Sequence, residues 1–379
     1  MQLSKWFYLG MMNELVHKYN EKVIVNFFCF QAGIFNDFFL IKTIIRLIFS
    51  KKVIVVATAQ DVATLAGVSI GSVSNYLNGK QQRKSTAEKI KKAMEQLDYH
   101  QNIIASGLKK NKTMSIGIVI NQLTDFFSMS IVSAIEAYVE QFGYSIIVCD
   151  YHDDKKRFEQ KLDFLLDHSV DAIIVFHQDF ATKMLKKVAA EHIPIVAIDA
   201  PIKDLKSDVV VVNNYESSKI GVNYLINKGH HQIGIITGSA KNYISRERQS
   251  GYEDALKEHQ IRSDQTTIWT GDYSIQSGYD GFNELIAKNP DLDALFIINY
   301  YMSLGAIKAY RESNLHPKIE FLVYDHFFVN DLFFPEISSI EQPVDQIGTT
   351  AGKLLINRLS KPNSSDFQTV YCNNVLRLK

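Results

Sequence analysis

The sequence predicts a small all-α domain near the N-terminus, followed by a larger α/β domain built from two similar lobes. The first prediction comes from short amphipathic patterns at helical spacing between residues 57 and 99. The second comes from apolar runs that alternate with helical patterns from residue 115 onward. At 379 residues and 46% hydrophobic content, the chain is long enough to form two or three domains with substantial cores.

The first 56 residues differ in composition from the rest of the chain. Phe, Ile, Lys, Asn and Tyr, whose codons are AT-rich, make up about half of this segment. We therefore interpret residues 1–56 as a mis-assigned upstream extension. A membrane-associated extension is the alternative, because the apolar window 23–41 is long enough to cross a bilayer. Polar residues such as Asn26 and Asp37 interrupt that window.

Residues 57–78 have the pattern of two short helices joined by one tight turn. Thr58 can cap the first helix, Gly67 suits the turn, and Ser69 can cap the second helix. The apolar positions face inward, so the positions left facing outward on the second helix are Ile70, Gly71, Ser72, Ser74 and Asn75. This arrangement predicts a helix-turn-helix, whose second helix enters the major groove of DNA.

The following residues predict a third helix and a basic surface. The residues Ser85 and Glu88 are spaced as a capping box, which would begin the helix. Residues 57–112 contain nine lysines and arginines against four aspartates and glutamates, within a chain of zero net charge. Such an excess is expected where DNA phosphates are contacted, although a solvated helix face gives the same count. Residues 103–108 predict a short helix that is too weak to form without a partner.

From residue 115 onward, nine apolar runs alternate with helical patterns, which predicts parallel sheets covered by helices. The runs are 116–120, 144–149, 172–176, 195–198, 209–212, 233–237, 267–269, 294–297 and 321–323. Their succession in two sets predicts the two lobes. A ligand in this architecture binds beyond the carboxyl ends of the strands, in the cleft between the lobes.

The sequence lacks the residue patterns that are typical of zinc sites, disulfide frameworks and common enzyme active sites. Cys29, Cys149 and Cys372 are too widely spaced for a zinc site or a disulfide framework, which fits a reducing cytoplasm. The sequence contains no phosphate-binding GxxxxGK[ST] loop, no HExxH helix and no GxSxG turn. We therefore expect no enzymatic activity, no cofactor and no metal, and we expect a cytoplasmic protein.

Several ordered motifs resemble the LacI/GalR family of bacterial repressors. They are ATAQDVA at 57–63, AGVS at 66–69, SVS at 72–74, LN at 77–78, LDY at 97–99, GHHQIG at 229–234, RQSGY at 248–252 and SSIEQP at 338–343. The family usually begins Met-Ala-Thr-Ile-x-Asp-Val-Ala, so Val56 stands where the initiator methionine would be. This match favours the upstream interpretation of residues 1–56.

The resemblance implies a fold and a function. It implies a helix-turn-helix DNA-binding domain with a hinge helix at 57–112 (hinge about 102–110). An effector-binding and dimerisation domain of the periplasmic-binding-protein-like fold would follow at 113–379. The N-lobe would comprise about 113–213 and 341–370, and the C-lobe about 214–340. The resemblance also implies that the protein is a homodimer that represses carbohydrate-use genes. It would bind double-stranded operator DNA and respond to a sugar or sugar-derived effector. A membrane-anchored regulator and a two-lobed solute-binding protein are the alternatives.

Position by position, the resemblance implies DNA contacts by Thr58, Ser69, Ile70, Gly71, Ser72, Ser74, Asn75, Asn78, Asn102, Ala105 and Leu108. Asn75 stands where the family often has Arg or His. Because Asn pairs with adenine and Arg favours guanine, we expect a different operator preference. Leu108 matches the hinge leucine that is inserted between base pairs from the minor groove.

The effector contacts implied in the same way are Phe126, Phe127, Asp199, Arg248, Tyr273, Asn299 and Asp325. Asp199 and Asp325 follow predicted strands, where carboxylates can accept hydrogen bonds from sugar hydroxyls, although each could instead cap a helix. Arg248 can bind a hydroxyl, a ring oxygen or an anion in a fork geometry. Ala200 and Tyr300 replace an Arg and an Asp that are common in the family, so the family's common neutral-sugar contacts cannot be assumed here and the identity of the effector is open.

Overall fold

The computed structural model describes residues 57–77, 80–99, 112–176, 182–261, 267–313, 319–333, 337–362 and 364–379. The chain forms two units, of which the first contains residues 57–99 and the second contains residues 112–379. The predicted extension at 1–56 and the hinge at about 102–110 lie outside the described residues. The same holds for the predicted DNA contacts Asn78, Asn102, Ala105 and Leu108.

The first unit contains three helices, α1 (Ala59–Ala66), α2 (Ile70–Leu77) and α3 (Lys84–Gln96). Thr58 caps α1 in a reciprocal box: its hydroxyl accepts from the Asp61 N–H at 3.3 Å, and the Asp61 carboxylate accepts from the Thr58 N–H at 2.8 Å. Gly67 ends α1 with a left-handed backbone at φ 63°. Ser69 accepts from the Ser72 N–H at 3.2 Å, which confirms the second predicted cap.

The predicted capping box at Ser85 is wrong. Helix α3 begins at Lys84, two residues before the start that a cap at Ser85 predicts, and its N-cap Arg83 makes no side-chain cap hydrogen bond. Ser85 therefore lies inside the first turn, where its hydroxyl cannot serve as the cap. On the inner side of α3, Ile90 and Ala93 pack with Val62, Ala63 and Val73 in the core of this unit.

The N-lobe of the second unit contains a six-stranded parallel sheet. Its strands are β1 (Ser115–Ile120), β2 (Ser145–Asp150), β3 (Ala172–Phe176), β4 (Ile195–Ile198), β5 (Asp208–Val212) and β11 (Thr369–Cys372). They lie in the order β11-β5-β4-β3-β1-β2, and every neighbouring pair is parallel. The central strands are buried on both faces, as expected for a parallel sheet between two helix layers.

The C-lobe repeats this plan. Its strands are β6 (Ile233–Thr237), β7 (Ile268–Thr270), β8 (Ala294–Ile297), β9 (Glu320–Tyr324), β10 (Ser338–Glu341) and β12 (Val375–Arg377). The order is β12-β10-β9-β8-β6-β7, parallel except for the β10–β12 pair, which is antiparallel. All nine strands predicted from apolar runs are present, each within one residue of its predicted ends.

The helices of the second unit are α4 (Phe126–Val139), α5 (Lys155–Asp167), α6 (Thr182–Ala190), α7 (Asn214–Asn227), α8 (Tyr243–Glu258), α9 (Ile275–Lys288), α10 (Tyr300–Glu312), α11 (Phe328–Phe333) and α12 (Val344–Ser360). None of the helices in the described ranges combines the length and the hydrophobicity that crossing a membrane requires. Helix α12 packs against α4 in the N-lobe. The chain therefore crosses between the lobes after β5, after β10 and again between β11 and β12.

A buried ion pair fixes the end of α12. Arg358 donates from Nε and Nη2 to the two carboxylate oxygens of Asp208, each at 2.9 Å, and both side chains are less than 10% exposed. Asp208 also accepts from the backbone N–H of Gln368 at 2.9 Å. This bidentate pair joins α12, the start of β5 and the segment that leads into β11.

Candidate functional site

The outward face of α2 in the helix-turn-helix is open to solvent. Ser69, Gly71, Ser74 and Asn75 are exposed, and the Ile70 side chain is 50% exposed although it is apolar. Ser72, which was predicted to face outward, is half-buried, and its carbonyl accepts from the Gln82 side chain at 3.4 Å. The Thr58 hydroxyl is engaged with Asp61, as described above. An exposed isoleucine beside small polar residues suits contact with a groove edge.

Exposed basic side chains lie on the segment after α2 and on α3. The exposed ones in the described part of the unit are Lys80, Arg83, Lys84, Lys89, Lys91 and Lys92. Among the residues described there, none of these six cations forms an ion pair with a carboxylate. Their charges are therefore available to phosphates, which supply most of the affinity in DNA binding. These positions agree with the basic excess counted in the sequence.

The second candidate site is a cleft between the two lobes of the α/β unit. A cavity of about 910 Å³ opens there, with lining residues from the carboxyl ends of β1, β3 and β4 and from the loops and helices that follow β6, β7 and β8. A deeper chamber of about 120 Å³ shares eight of its lining residues and adds Arg248, Tyr300, Asp325, Phe327 and Gln342. We term the first cavity the outer chamber and the second the inner chamber. Both lie where a ligand is expected to bind in this architecture, at the carboxyl ends of the strands.

Arg248 is the buried cation of the inner chamber. It lies within α8 and is 6% exposed. Its Nε donates to the Asn214 side-chain oxygen at 2.8 Å, its Nη1 donates to the Ile298 carbonyl at 2.5 Å, and its guanidinium lies over the Tyr324 ring. These contacts fix the plane of the guanidinium, and its remaining N–H groups are available to a ligand.

Asp199 lines both chambers from the end of β4. Within the described part of the chain its carboxylate makes no hydrogen bond and no ion pair, and it does not cap a helix. Burial raises the pKa of this carboxyl to about 7. The Arg248 charge opposes that increase, and the Asp125 and Asp325 charges add to it.

Two further carboxylates line the inner chamber. Asp325 follows β9, is 6% exposed and accepts from the Gln342 side chain at 2.5 Å. Burial raises its pKa, against the lowering effects of Arg248 and Gln342. Asp125 caps α4 by accepting from the Ser128 N–H at 3.0 Å. The inner chamber thus contains three carboxylates and one guanidinium.

Aromatic rings form much of the remaining wall. Phe127, Tyr273, Tyr300, Tyr301 and Phe327 all line the inner chamber. Phe126 lines neither chamber: its ring is 48% exposed and packs against Tyr300 and Phe327 from the other lobe. The Tyr301 hydroxyl donates to the Thr124 carbonyl at 2.9 Å and accepts from the Phe126 N–H at 3.2 Å, so it links the lobes across the cleft.

Six of the seven predicted effector residues come together around these chambers: Phe127, Asp199, Arg248, Tyr273, Asn299 and Asp325. Asn299 also caps α10, by accepting from the Met302 N–H at 3.2 Å. Whether these residues contact an effector stays a prediction. Asp125, Tyr301 and Gln342 also line the inner chamber but were not predicted, and among these three only Asp125 has a local sequence signal, as a cap before a helical pattern.

A Ser–His–Asp contact elsewhere in the C-lobe resembles hydrolytic machinery only in its composition. His326 lies 3.0 Å from the Ser339 hydroxyl and 3.1 Å from the Asp331 carboxylate. Ser339 is completely buried, so no substrate can reach its oxygen. The Lys379 ammonium lies 3.5 Å from the same Asp331 carboxylate, which indicates that the group anchors the C-terminal segment.

Both units match family models. Residues 58–102 match the model described as "Bacterial regulatory proteins, lacI family". Residues 113–373 match "Periplasmic binding proteins and sugar binding domain of LacI family". If the chain were a two-lobed solute-binding protein, as in the alternative considered above, the match of residues 58–102 would have no explanation.

Curated relatives and solved structures agree with the family models. The HTH-type transcriptional repressor PurR of Actinobacillus pleuropneumoniae serotype 3 (strain JL03) is 30% identical over 306 residues, covering 80% of this chain and 91% of the relative. PurR of Histophilus somni (strain 2336) is 29% identical over 326 residues, covering 85% and 98%.

A structure of the lac repressor dimer bound to operator and the anti-inducer ONPF matches with TM-score 0.75 at 25% identity, covering 85% of this chain and 97% of that one. The complex of the transcriptional regulator CelR with cellobiose matches in fold, with TM-score 0.64 at 24% identity, covering 85% and 98%. With both family models matched in order along one polypeptide, this chain belongs to the LacI family of bacterial regulatory proteins.

Proposed function

We propose that this protein represses genes of carbohydrate use and that a sugar or sugar-derived effector in the cleft controls its hold on the operator. As a member of its family it is a DNA-binding transcriptional repressor with a small-molecule effector. The gene class, the effector class and the contact residues are the proposed part. The single observation that carries them is a cleft at the strand ends in which carboxylates and a fixed guanidinium meet aromatic walls.

The DNA-binding part of the proposal rests on the exposed face of α2. A homodimer would place two such helices on successive major grooves, so that the operator is a pseudo-palindrome with half-sites about one turn apart. The lac repressor is a dimer on its operator in the structure that matches this chain. The hinge residues Asn102, Ala105 and Leu108 would add a minor-groove contact, with Leu108 unstacking a base step.

The switch would couple the cleft to the hinge. Closure of the lobes on an effector changes how the two N-lobes of a dimer pack and therefore whether the two hinges can pair. Coupling of this kind between two sites is typically about 1–3 kcal/mol, which changes operator affinity by about 5- to 150-fold. A regulator of this kind acts in the cytoplasm, where operator DNA and metabolites are both accessible.

Selection of duplexes from a random pool by the full chain tests the proposal. We expect enrichment of a pseudo-palindrome, and we expect a ligand found by thermal shift among sugars and sugar derivatives to change affinity for it at least fivefold. Leu108→Ala should weaken operator binding far more than ligand binding. Enrichment of no sequence, or an affinity that no bound ligand changes, would contradict the proposal.

A further inference from the structure

We propose that the effector is cationic: a sugar-sized molecule whose ammonium group lies among Asp125, Asp199 and Asp325 in the inner chamber. This inference rests on the proposed function, since it names the chemical class of the effector for the same cleft. The sequence predicts only a sugar or a sugar-derived effector, a description that covers neutral sugars, amino sugars and sugar acids. The charge of the effector distinguishes these three classes.

The charge of the inner chamber is the first argument. In the part of the chain that the structure describes, its lining contains the three carboxylates and one cation, Arg248. Of these carboxylates, Asp325 is held by Gln342 and Asp125 by the start of α4, whereas Asp199 has no side-chain partner in the part of the chain that the structure describes. Among the described lining residues there is thus one guanidinium for three carboxyl groups, and an ammonium would stabilise the ionised forms of Asp199 and Asp325, whose pKa values are raised.

The outer chamber does not reverse this balance. It adds the carboxylates of Asp153 and Asp272 and the ammonium of Lys241. All three side chains are exposed, so water screens their charges. Among the described residues of the cleft, the carboxylates outnumber the cations, and an anionic ligand such as a sugar acid or a sugar phosphate would enter a region of like charge.

Mutual repulsion among these carboxylates is the second argument. The charges of Asp125 and Asp325 both raise the pKa of Asp199, on top of the larger effect of burial. The three groups are therefore near enough to destabilise one another when ionised, even with Arg248 beside them. A bound ammonium relieves this repulsion, and a neutral sugar does not.

The walls are the third argument. Five aromatic residues line the same chamber, and two pairs among them are in contact, with ring centroids 5.4 Å apart for Tyr300–Tyr301 and 4.8 Å apart for Tyr300–Phe327. Aromatic rings attract cations, and cages of such rings recognise ammonium ligands. Among the described residues, no group of three His, Cys, Asp or Glu side chains could hold a metal ion. An organic ammonium therefore fits this chamber better than a metal cation.

Matched ligand sets test the charge of the effector with the full-length protein. The sets are glucose, glucosamine and glucuronate, then galactose, galactosamine and galacturonate, then mannose, mannosamine and mannuronate. Thermal shift followed by calorimetric titration should find an amine that binds at least tenfold tighter than its neutral parent and no uronate that binds. A neutral sugar or a uronate that binds as tightly as its amine overturns the inference, and so does a panel in which no amine binds.

A variant pair makes the test independent of sugar stereochemistry. Asp199→Asn should weaken binding of the amine at least tenfold, and it should weaken binding of the neutral parent at least threefold less than that. Asp204→Asn is the matched control, because the Asp204 side chain is 69% exposed and its ion-pair partner Lys186 lies 3.8 Å away on the surface. Equal losses for amine and neutral sugar in Asp199→Asn would contradict the role of its charge.

Operator binding, measured on the same preparations without ligand, distinguishes the two proposals. If the protein binds its operator and no amine, the proposed function stands and the cationic effector is wrong. If the protein binds no operator, the proposed function itself fails.

Discussion

The guanidinium carbon of Arg248 lies 3.6 Å from the centre of the Tyr324 ring. Arg248 comes from α8 and Tyr324 from the end of β9, one residue before Asp325. The Tyr324 hydroxyl donates to the Asn214 carbonyl at 3.3 Å, and the side chain of Asn214 accepts from Arg248. This stack therefore fixes the buried guanidinium of Arg248 against the strand that leads to Asp325, one of the carboxylates of the inner chamber.

We expect Arg248→Lys to abolish the effector response and to leave operator affinity without effector within about threefold of the wild type. A lysine keeps the charge, but it cannot stack on Tyr324 or reach both Asn214 and Ile298, so Arg and Lys are not equivalent at this site. Calorimetric titration of the ligand and fluorescence anisotropy with operator DNA measure the two effects.

The matched control is Arg157→Lys, which changes a half-exposed arginine that lies 3.3 Å from Asp150 outside the chambers. It should leave both quantities unchanged. An effector response that survives in Arg248→Lys would mean that the effector binds elsewhere.

The pKa of Asp199 predicts how stability depends on pH. Because this pKa rises from 3.8 in the unfolded chain to about 7 in the folded protein, the folded state binds more protons between about pH 4 and pH 7. The free energy of unfolding should therefore fall as the pH rises through this window, and Asp199 should add no further loss above it. Asp325, whose pKa is also raised, acts in the same direction.

Asp199→Asn should remove most of this decline and should be more stable than the wild type at pH 8, because the buried charge is gone. Urea unfolding at pH 5, 6, 7 and 8 measures the difference. Parallel pH profiles for the two proteins would show that the Asp199 carboxyl titrates near its ordinary pKa.

Substitution of Gly71 should change stability and DNA binding in opposite directions. A methyl group at this position would meet only the Ser69 hydroxyl, at an ordinary 3.6 Å, so the fold does not require glycine there. Gly71→Ala should stabilise α2 by up to about 1 kcal/mol, because alanine favours a helix. We expect it to weaken operator binding at least fivefold, since α2 would no longer approach the groove edge as closely.

Gly67→Ala is the control for this variant, because Gly67 has φ 63° at the end of α1. It should cost about 1 kcal/mol of stability, as a left-handed backbone disfavours a side chain. Its operator affinity at low temperature should stay near that of the wild type. Unchanged affinity in Gly71→Ala would show that this end of α2 does not meet DNA.

The buried pair of Asp208 and Arg358 predicts a large loss of stability on truncation. Asp208→Ala leaves the guanidinium buried without its partner, which should cost about 3–5 kcal/mol. The exposed pair of Glu341 and Arg377 is the comparison, and Glu341→Ala should cost less than about 1 kcal/mol. Chemical unfolding of both variants measures the difference, and similar losses would mean that burial does not set the energy of the Asp208–Arg358 pair.

The regular parts of the fold could be predicted because their signal is local. The nine predicted strands are continuous apolar runs, and burial on both faces requires such runs. β10 was missed because Ser338 and Ser339 are polar although completely buried. The start of helix α8 carries no apolar stripe, because the first half of the helix after its cap at Asn242 is mostly polar.

The site could be predicted only where single residues carried the signal. Asp199 and Asp325 were indicated by their places at strand ends, whereas Arg248 was indicated by the resemblance to the family. The hydrogen bond between Asp325 and Gln342 could not be predicted, because strand β10 separates the two residues in the sequence and only the fold brings them together. Asp125 acts as a helix cap and as a chamber carboxylate at once, and only the folded lobes show the second role.

Operator affinity, measured by fluorescence anisotropy as the effector is titrated, tests the central claim most directly. The duplex is the pseudo-palindrome that the full chain selects, and the effector is the tightest ligand from the matched sets. We predict a change in affinity of at least fivefold in the wild type and none in Arg248→Lys. A wild-type affinity that stays constant while the effector demonstrably occupies the protein would contradict the account.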